Sequence, residues 1–185
     1  MSLQFSKTFP KAGSEITVQI WSAGAEPIEK FVPVLAKTYK TKHAKLESNE
    51  AQDGFVVLAY AKENNNNEAI GGMLFMYQKN AVETVKMQTW KEGVVPTMQR
   101  RGVGSRMYDT LKLWANENPH ITEIESRVDE GDVAGMLFMD KQEDFSHRWA
   151  QGDEVIYQWW KHDLPMDDET DDDDIMRPLQ RQLSD

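Results

Sequence analysis

The residues best suited to do chemistry form the run Gln99-Arg100-Arg101-Gly102-Val103-Gly104. It follows an apolar, β-rich segment ending in Gly93-Val94-Val95-Pro96. It precedes a helical stripe of Val103, Met107, Leu111 and Trp114, spaced by four, four and three. A strand, a tight glycine turn and a helix N-terminus together make an anion site. The N–H groups of the first helical turn lack partners within the helix, and the helix dipole favours negative charge there. Gly102 and Gly104 omit side chains that would block close backbone approach, and Arg100 and Arg101 add positive charge. The chemistry implied is the holding of a phosphate-bearing cofactor. A glycine turn that only caps a surface helix has the same local pattern, so the surrounding elements have to decide between the two.

Those elements read as follows. Ile16 to Trp21 alternates and is β-branched, which predicts a strand. Pro27 to Tyr39 carries Ile28, Phe31, Val32, Leu35 and Tyr39 at helical spacing, with Pro33 either splitting the helix or sitting in an early turn. Lys40 to Asp53 is polar, a short helix or a loop. Phe55 to Ala61 is a buried strand, and Asn64 to Asn67 is a linker suited to a hairpin. Ala69 to Gln78 returns, its Gly71-Gly72 pair marking a bulge or a close backbone contact. A further strand runs from Val82 towards Val95. Lys86 and Gln88 lie on one face of it, Met87 and Thr89 on the other. After the glycine turn comes a helix from about Val103 to Asn116, halted before Pro119. A strand from Ile121 to Val128, a helix from Asp132 to Lys141 and a closing hairpin, Phe145 to Trp149 with Glu154 to Lys161, complete the chain. No internal repeat is present. The order predicts an α/β arrangement with a mixed sheet. A dinucleotide-binding fold would need its glycine motif after an early strand of a parallel sheet, with an acid about 20 residues on; here an antiparallel meander comes first.

With 185 residues, 39% of them hydrophobic and 10% aromatic, one well-packed domain is expected. The chain has no cysteine, which excludes disulfides, cysteine-based zinc sites and a cysteine nucleophile. His43, His120, His147 and His162 lack metal-like spacing, so no metal site is expected. No apolar run is long enough for a bilayer, and the N-terminal residues lack a signal-peptide pattern; the expectation is a cytoplasmic protein without a membrane partner. The net charge is −10, but Asp163, Asp167, Asp168, Glu169 and Asp171 to Asp174 supply eight negatives, and without them the balance is −2. The expected division is a domain over residues 1–162 and an acidic tail over 163–185. A nearly neutral body with an acidic tail argues against nucleic-acid binding.

The glycine run matches the Q/R-x-x-G-x-G/A signature of the GNAT acetyltransferase superfamily, and the order of elements from about Ile16 to Lys161 resembles the GNAT fold. That resemblance is clearest from Val82 to Val128. It implies a mixed, largely antiparallel central sheet flanked by helices, with strands splayed at the cofactor site and acetyl-CoA as acyl donor. Carried over, pyrophosphate binding falls to Gln99, Arg100, Arg101, Gly102, Val103, Gly104 and Ser105. Backbone pairing with the pantetheine arm falls to Glu92, Val94 and Val95. Acetyl transfer to an amine needs a proton acceptor for the amine and a donor for the departing thiolate. Glu92, at the end of the central strand, is the leading base, ahead of Glu83 and Glu125, which read as solvated faces. The family's tyrosine acid is missing from Ala134 to Phe145: Asp140 or Met139 stands where it is expected, and Asp144 replaces the usual glycine. Asp140 could act as the acid only if burial raised its pKa. Tyr108 and Tyr157 are the tyrosines that could compensate, although Tyr108 reads first as packing.

The function implied is N-acetyl transfer from acetyl-CoA to a primary amine of a small molecule or peptide. The alternatives are a non-catalytic acyl-CoA-binding or regulatory protein, supported by the missing tyrosine, and an interaction protein whose acidic tail engages a basic partner. Trp159 and Trp160 are adjacent, so in a strand they face opposite sides. One of them is free for a homodimer contact or a substrate wall.

Overall fold

The computed structural model describes residues 2–10, 15–22, 24–39, 54–62, 68–79, 85–145 and 147–161. The expectations for Lys40 to Asp53, the Asn64 to Asn67 linker, Glu83, His43, His162 and the acidic tail lie outside the described residues. Eight strands form one sheet: β1 (Leu3–Phe9), β2 (Ile16–Ser22), β3 (Gly54–Ala61), β4 (Ala69–Lys79), β5 (Val85–Val94), β6 (Ile121–Asp129), β7 (His147–Gln151) and β8 (Glu154–Trp160). Their spatial order is β1-β2-β3-β4-β5-β6-β8-β7. Every neighbouring pair is antiparallel except β5 with β6. This is the mixed, largely antiparallel sheet that the sequence predicts. β1 is an addition: its Leu3, Phe5 and Phe9 alternate with polar residues, but most of the strand is exposed and Lys7 interrupts the apolar face.

Among the described residues three helices cover the sheet: α1 (Ala25–Tyr39), α2 (Val103–Glu117) and α3 (Val133–Met139). Pro33 does not split α1, which runs continuously and buries Phe31, Val34 and Leu35. The Gly71-Gly72 pair of β4 shows how the layers are arranged. A Cβ on Gly72 would lie 2.5 Å from the Phe31 ring of α1. One on Gly71 would lie 2.9 Å from Val103 of α2. Successive strand residues face opposite sides, so α1 covers one face and α2 the other. Phe138 of α3 meets Gly104 of α2 closely and stacks 5.8 Å from the Tyr108 ring, placing α3 beside α2. The core between the layers includes Val18, Ile20, Val57, Leu74 and Leu111, all fully buried; each such side chain contributes about 1.5–3 kcal/mol by leaving water. No helix among the described residues is long and apolar enough to cross a membrane.

Candidate active site

The parallel ladder between β5 and β6 is short. It joins Val85 to Ile121, Lys86 to Glu123, Met87 to Ile124 and Gln88 to Glu125, and then stops. Beyond it β5 continues alongside β4 as far as Val94, and β6 continues alongside β8 as far as Asp129. Two neighbouring strands thus part company in the middle of the sheet and form a fork. A register shift opposite Leu74 and Phe75 leaves Trp90 as the extra residue on β5, just past the vertex, and a bulge of this kind bends its strand. At the vertex, the Thr89 hydroxyl replaces the missing ladder. Its Oγ1 donates to the Glu125 carbonyl at 3.0 Å and accepts from the Arg127 N–H at 3.3 Å.

The backbone of β5 beyond the vertex has one edge committed to β4 and one edge free of strand pairing among the described residues. Val95 N–H donates to the Ile70 carbonyl at 2.9 Å. By the alternation of strand hydrogen bonds, Gly93 also faces β4, while Glu92 and Val94 face the fork. Two side chains confirm the direction. Tyr39, at the end of α1, donates its hydroxyl to the Glu92 carbonyl, and Gln99 Nε2 donates to the Val94 carbonyl at 3.1 Å. The N–H groups of Glu92 and Val94 point into the fork, where no strand pairs with them. Val95 does not belong with them, contrary to the expectation. Its N–H serves Ile70, its carbonyl accepts from Met98 N–H at 2.9 Å, and its side chain is buried.

Beneath the fork lies a chain of hydroxyls. Tyr108, fully buried on α2, donates to Glu92 Oε2 at 2.6 Å and shares a hydrogen bond with Ser126 Oγ of β6 at 2.8 Å. Thr89 is a further hydrogen-bond neighbour of the Tyr108 hydroxyl. One phenol therefore ties both diverging strands. Edge-on contact with Phe145 at 5.4 Å between ring centroids and the tilted contact with Phe138 fix its ring. Glu92 is half-exposed as a residue, but its carboxyl end is turned inward. Burial raises its pKa above the ordinary carboxylate value, the Tyr108 hydrogen bond pulls it back, and nearby Asp132 raises it again. Burial and the negative Glu92 push the Tyr108 phenol well above its usual value. Tyr39 is pushed up to about 12, chiefly by burial and then by Glu92 and Asp132.

At the far end of the free edge, the chain makes a single 3-10 turn, Pro96–Met98, and then the glycine turn. Arg100 and Gly102 both adopt left-handed backbone conformations, with φ of 59° and 76°. For Gly102 this is ordinary; for Arg100 it is strained. No side chain caps the N-terminus of α2, and no acidic residue stands in its first turn. The first N–H groups of the helix have no partner within it and stand beside two exposed arginines. Arg106 folds back to donate to the Arg101 carbonyl at 3.0 Å and fixes the loop. Gln142 Nε2 reaches Ser105 Oγ at 3.4 Å. The structure thus brings together Gln99, Arg100, Arg101, Gly102, Val103, Gly104 and Ser105 in one turn, with Glu92 and Val94 on the strand leading to it.

Other sequence readings change. Asp140 is exposed at the end of α3, where it accepts from the Tyr157 hydroxyl at 3.0 Å; the burial that a proton-donating role requires is absent. Glu125 is not a solvated face. It is 1% exposed and paired with Lys86 and with Arg127, the latter at 2.7 Å. This network, which also takes in Glu123 and Glu154, raises the Lys86 pKa despite its partial burial. Tyr108 packs in the core as its place beside the helical stripe predicts, while the hydrogen-bonding roles of its hydroxyl, Thr89 and Ser126 have no signal in the sequence. Among the described residues, no group of three or more metal-ligating side chains is gathered, and no buried side-chain nitrogen or oxygen lacks a hydrogen-bond partner.

No family model matches the sequence, and no curated protein does. Solved structures do match its shape. NAA60 of Arabidopsis thaliana, in complex with acetyl-CoA, has a TM-score of 0.60 at 11% identity over 78% of this chain and 99% of its own. PaiA N-acetyltransferase of Thermoplasma acidophilum, in complex with coenzyme A, has 0.55 at 15% identity over 78% and 99%. An aminoglycoside acetyltransferase from an uncultured soil metagenomic sample, in complex with sisomicin, has 0.59 at 12% identity over 74% and 92%. The chain has the GNAT acetyltransferase fold.

Proposed function

We propose that this chain is an acyltransferase that moves an acetyl group from acetyl-CoA to a primary amine of a peptide or small molecule. The observation that carries this reading is the continuity of the fork. A free strand edge, Glu92 and Val94, runs directly into an uncapped helix N-terminus flanked by arginines. An extended, amide-bearing arm ending in a pyrophosphate fits such a path. Its phosphates would meet the N–H groups of Val103, Gly104 and Ser105 and the charges of Arg100 and Arg101. Its amides would pair with the free edge of β5. When bound, acetyl-CoA supplies an acetyl group activated by a thiol leaving group.

The protein's part is to align and to handle protons. The Glu92 carboxylate lies at the fork with its proton affinity raised by burial, which suits a base working near neutral pH. It takes the proton that the amine nitrogen loses as the new C–N bond forms and the C–S bond breaks. A backbone N–H of the free edge is suited to polarise the carbonyl oxygen. A second reading, an acyl-CoA-binding protein without turnover, is favoured by the exposure of Asp140 at the position where the acid is expected.

The test is calorimetric titration with acetyl-CoA of the intact chain and of Arg101→Glu, followed by thiol release with peptide, polyamine and aminoglycoside amines. Arg101 is exposed, so its reversal leaves the core intact and is expected to weaken binding about tenfold at low salt. Unchanged affinity in the variant overturns the site. Binding without turnover on any amine selects the second reading.

A further inference from the structure

The hydroxyl chain beneath the fork has a use that the family signature does not contain. We propose that Tyr108, backed by Ser126, is a positioning residue for Glu92: it holds the carboxylate across the two parting strands and switches its own hydrogen bond when Glu92 takes up a proton. This rests on the acetyl-transfer reading for its purpose, but not for its geometry. Tyr108 has one proton to give. While Glu92 is ionised, that proton goes to Oε2, and the Ser126 hydroxyl must donate to the phenol oxygen. When Glu92 is protonated, its O–H donates to the phenol, and Tyr108 turns its proton to Ser126 Oγ or Thr89 Oγ1. No proton leaves Tyr108; only the direction of the chain reverses. The carboxyl group thus has a hydrogen-bonded partner in both states and stays in one place through the cycle.

Among the described residues, four side chains stand at or next to Glu92. Tyr39 comes from α1, Tyr108 from α2, and Asp132 from the turn before α3, while β6 contributes Ser126. None is cationic, so Tyr108 is the group in this set whose hydrogen bond favours the ionised carboxylate. The Lys86 and Arg127 charges are engaged with Glu123, Glu125 and Glu154.

The experiment is a pH titration of the full-length protein carrying 13C-carboxyl glutamate, with the Glu92 signal assigned by its loss in Glu92→Gln. Tyr108→Phe keeps the ring and its contacts but removes the donor. The Glu92 midpoint is expected to rise by about one pH unit. Ser126→Ala leaves the donor in place and is expected to give a smaller shift in the same direction. The acidic limb of kcat/KM should follow the Tyr108→Phe shift, with the acetyl-CoA Kd unchanged, and Tyr108→Phe should add nothing to the loss in Glu92→Gln. A Glu92 midpoint unmoved in Tyr108→Phe overturns the proposal, whatever the activity. A shifted midpoint in a protein that acetylates no amine leaves the positioning role standing and removes the acetyl-transfer reading instead.

Discussion

Replacing Thr89 by valine keeps the shape of the side chain and deletes the hydroxyl at the vertex of the fork. Two main-chain groups of β6 lose their partner in one step: the Glu125 carbonyl at 3.0 Å and the Arg127 N–H at 3.3 Å. Thr89 is 5% exposed, so water does not readily replace the lost hydroxyl. A buried backbone group left unsatisfied costs about 1–3 kcal/mol. Because the carbonyl has a second lone pair and the N–H bond is long, the total should lie towards the lower part of the summed range, about 2–4 kcal/mol. For a domain of this size that is a fall of roughly 6–12 °C in thermal midpoint. Urea unfolding should show a lower midpoint with an unchanged slope, since the surface exposed on unfolding is the same. Thr89→Ser is the control. It loses a methyl group and keeps both bonds, and should cost about 1 kcal/mol or less. A valine variant within about 1 kcal/mol of the parent, or a serine variant as damaged as the valine one, would refute the view that this hydroxyl takes over from the parallel ladder.

Arg100→Gly relieves a left-handed residue and should raise stability by up to about 1 kcal/mol in chemical denaturation, while acetyl-CoA affinity falls through the lost charge. Gly104→Val brings a Cβ to 3.0 Å from the Phe138 ring and should cost about 1–3 kcal/mol; adding Phe138→Ala should restore part of the Gly104→Val loss, a coupling read by a double-mutant cycle on unfolding free energies. Glu92→Gln should become more stabilising relative to the parent as pH rises. The folded-state pKa of Glu92 is raised by burial, so between the ordinary carboxylate value and that raised value the native state binds more protons than the unfolded one, and the parent loses stability with increasing pH. Thermal midpoints of the two proteins that stay parallel from pH 4 to pH 9 would contradict this.

The sequence exposes the glycine turn because its parts are local: a strand end, two glycines, two arginines and a helical stripe lie within a few residues of each other. The fork is different. Its vertex depends on a threonine hydroxyl reaching a strand some 36 residues away and on an extra residue at Trp90 that no periodicity announces. Tyr108 is hidden for a similar reason. It sits beside the Met107 and Leu111 stripe, where an aromatic ring reads as core, and it is core; the role of its hydroxyl appears only once β5 and β6 are both in place. Glu125 alternates with Ile124 and Ser126 like a solvent-facing charge, and the approach of Lys86 from the neighbouring strand, with Arg127 beside it, makes its burial tolerable. Val95 does not share the edge of Glu92 and Val94, since its N–H is spent on Ile70; strand alternation has to be counted from such a hydrogen bond, which the sequence does not show.

The Gly71-Gly72 pair has a consequence for what a sequence signature records. At these two residues the sheet is a single backbone thick, with Phe31 lying on one side and Val103 on the other. Val103 is the fifth residue of the Gln99 to Gly104 run, and Gly104, the sixth, is pressed against Phe138. Two of the six letters of the run therefore report the spacing of the layers beneath it as much as a ligand above it. A lineage that shrank the residue at 138 would free position 104 to carry a side chain and erode the run without any change in what is bound, and a pattern search would score a change of packing as loss of function.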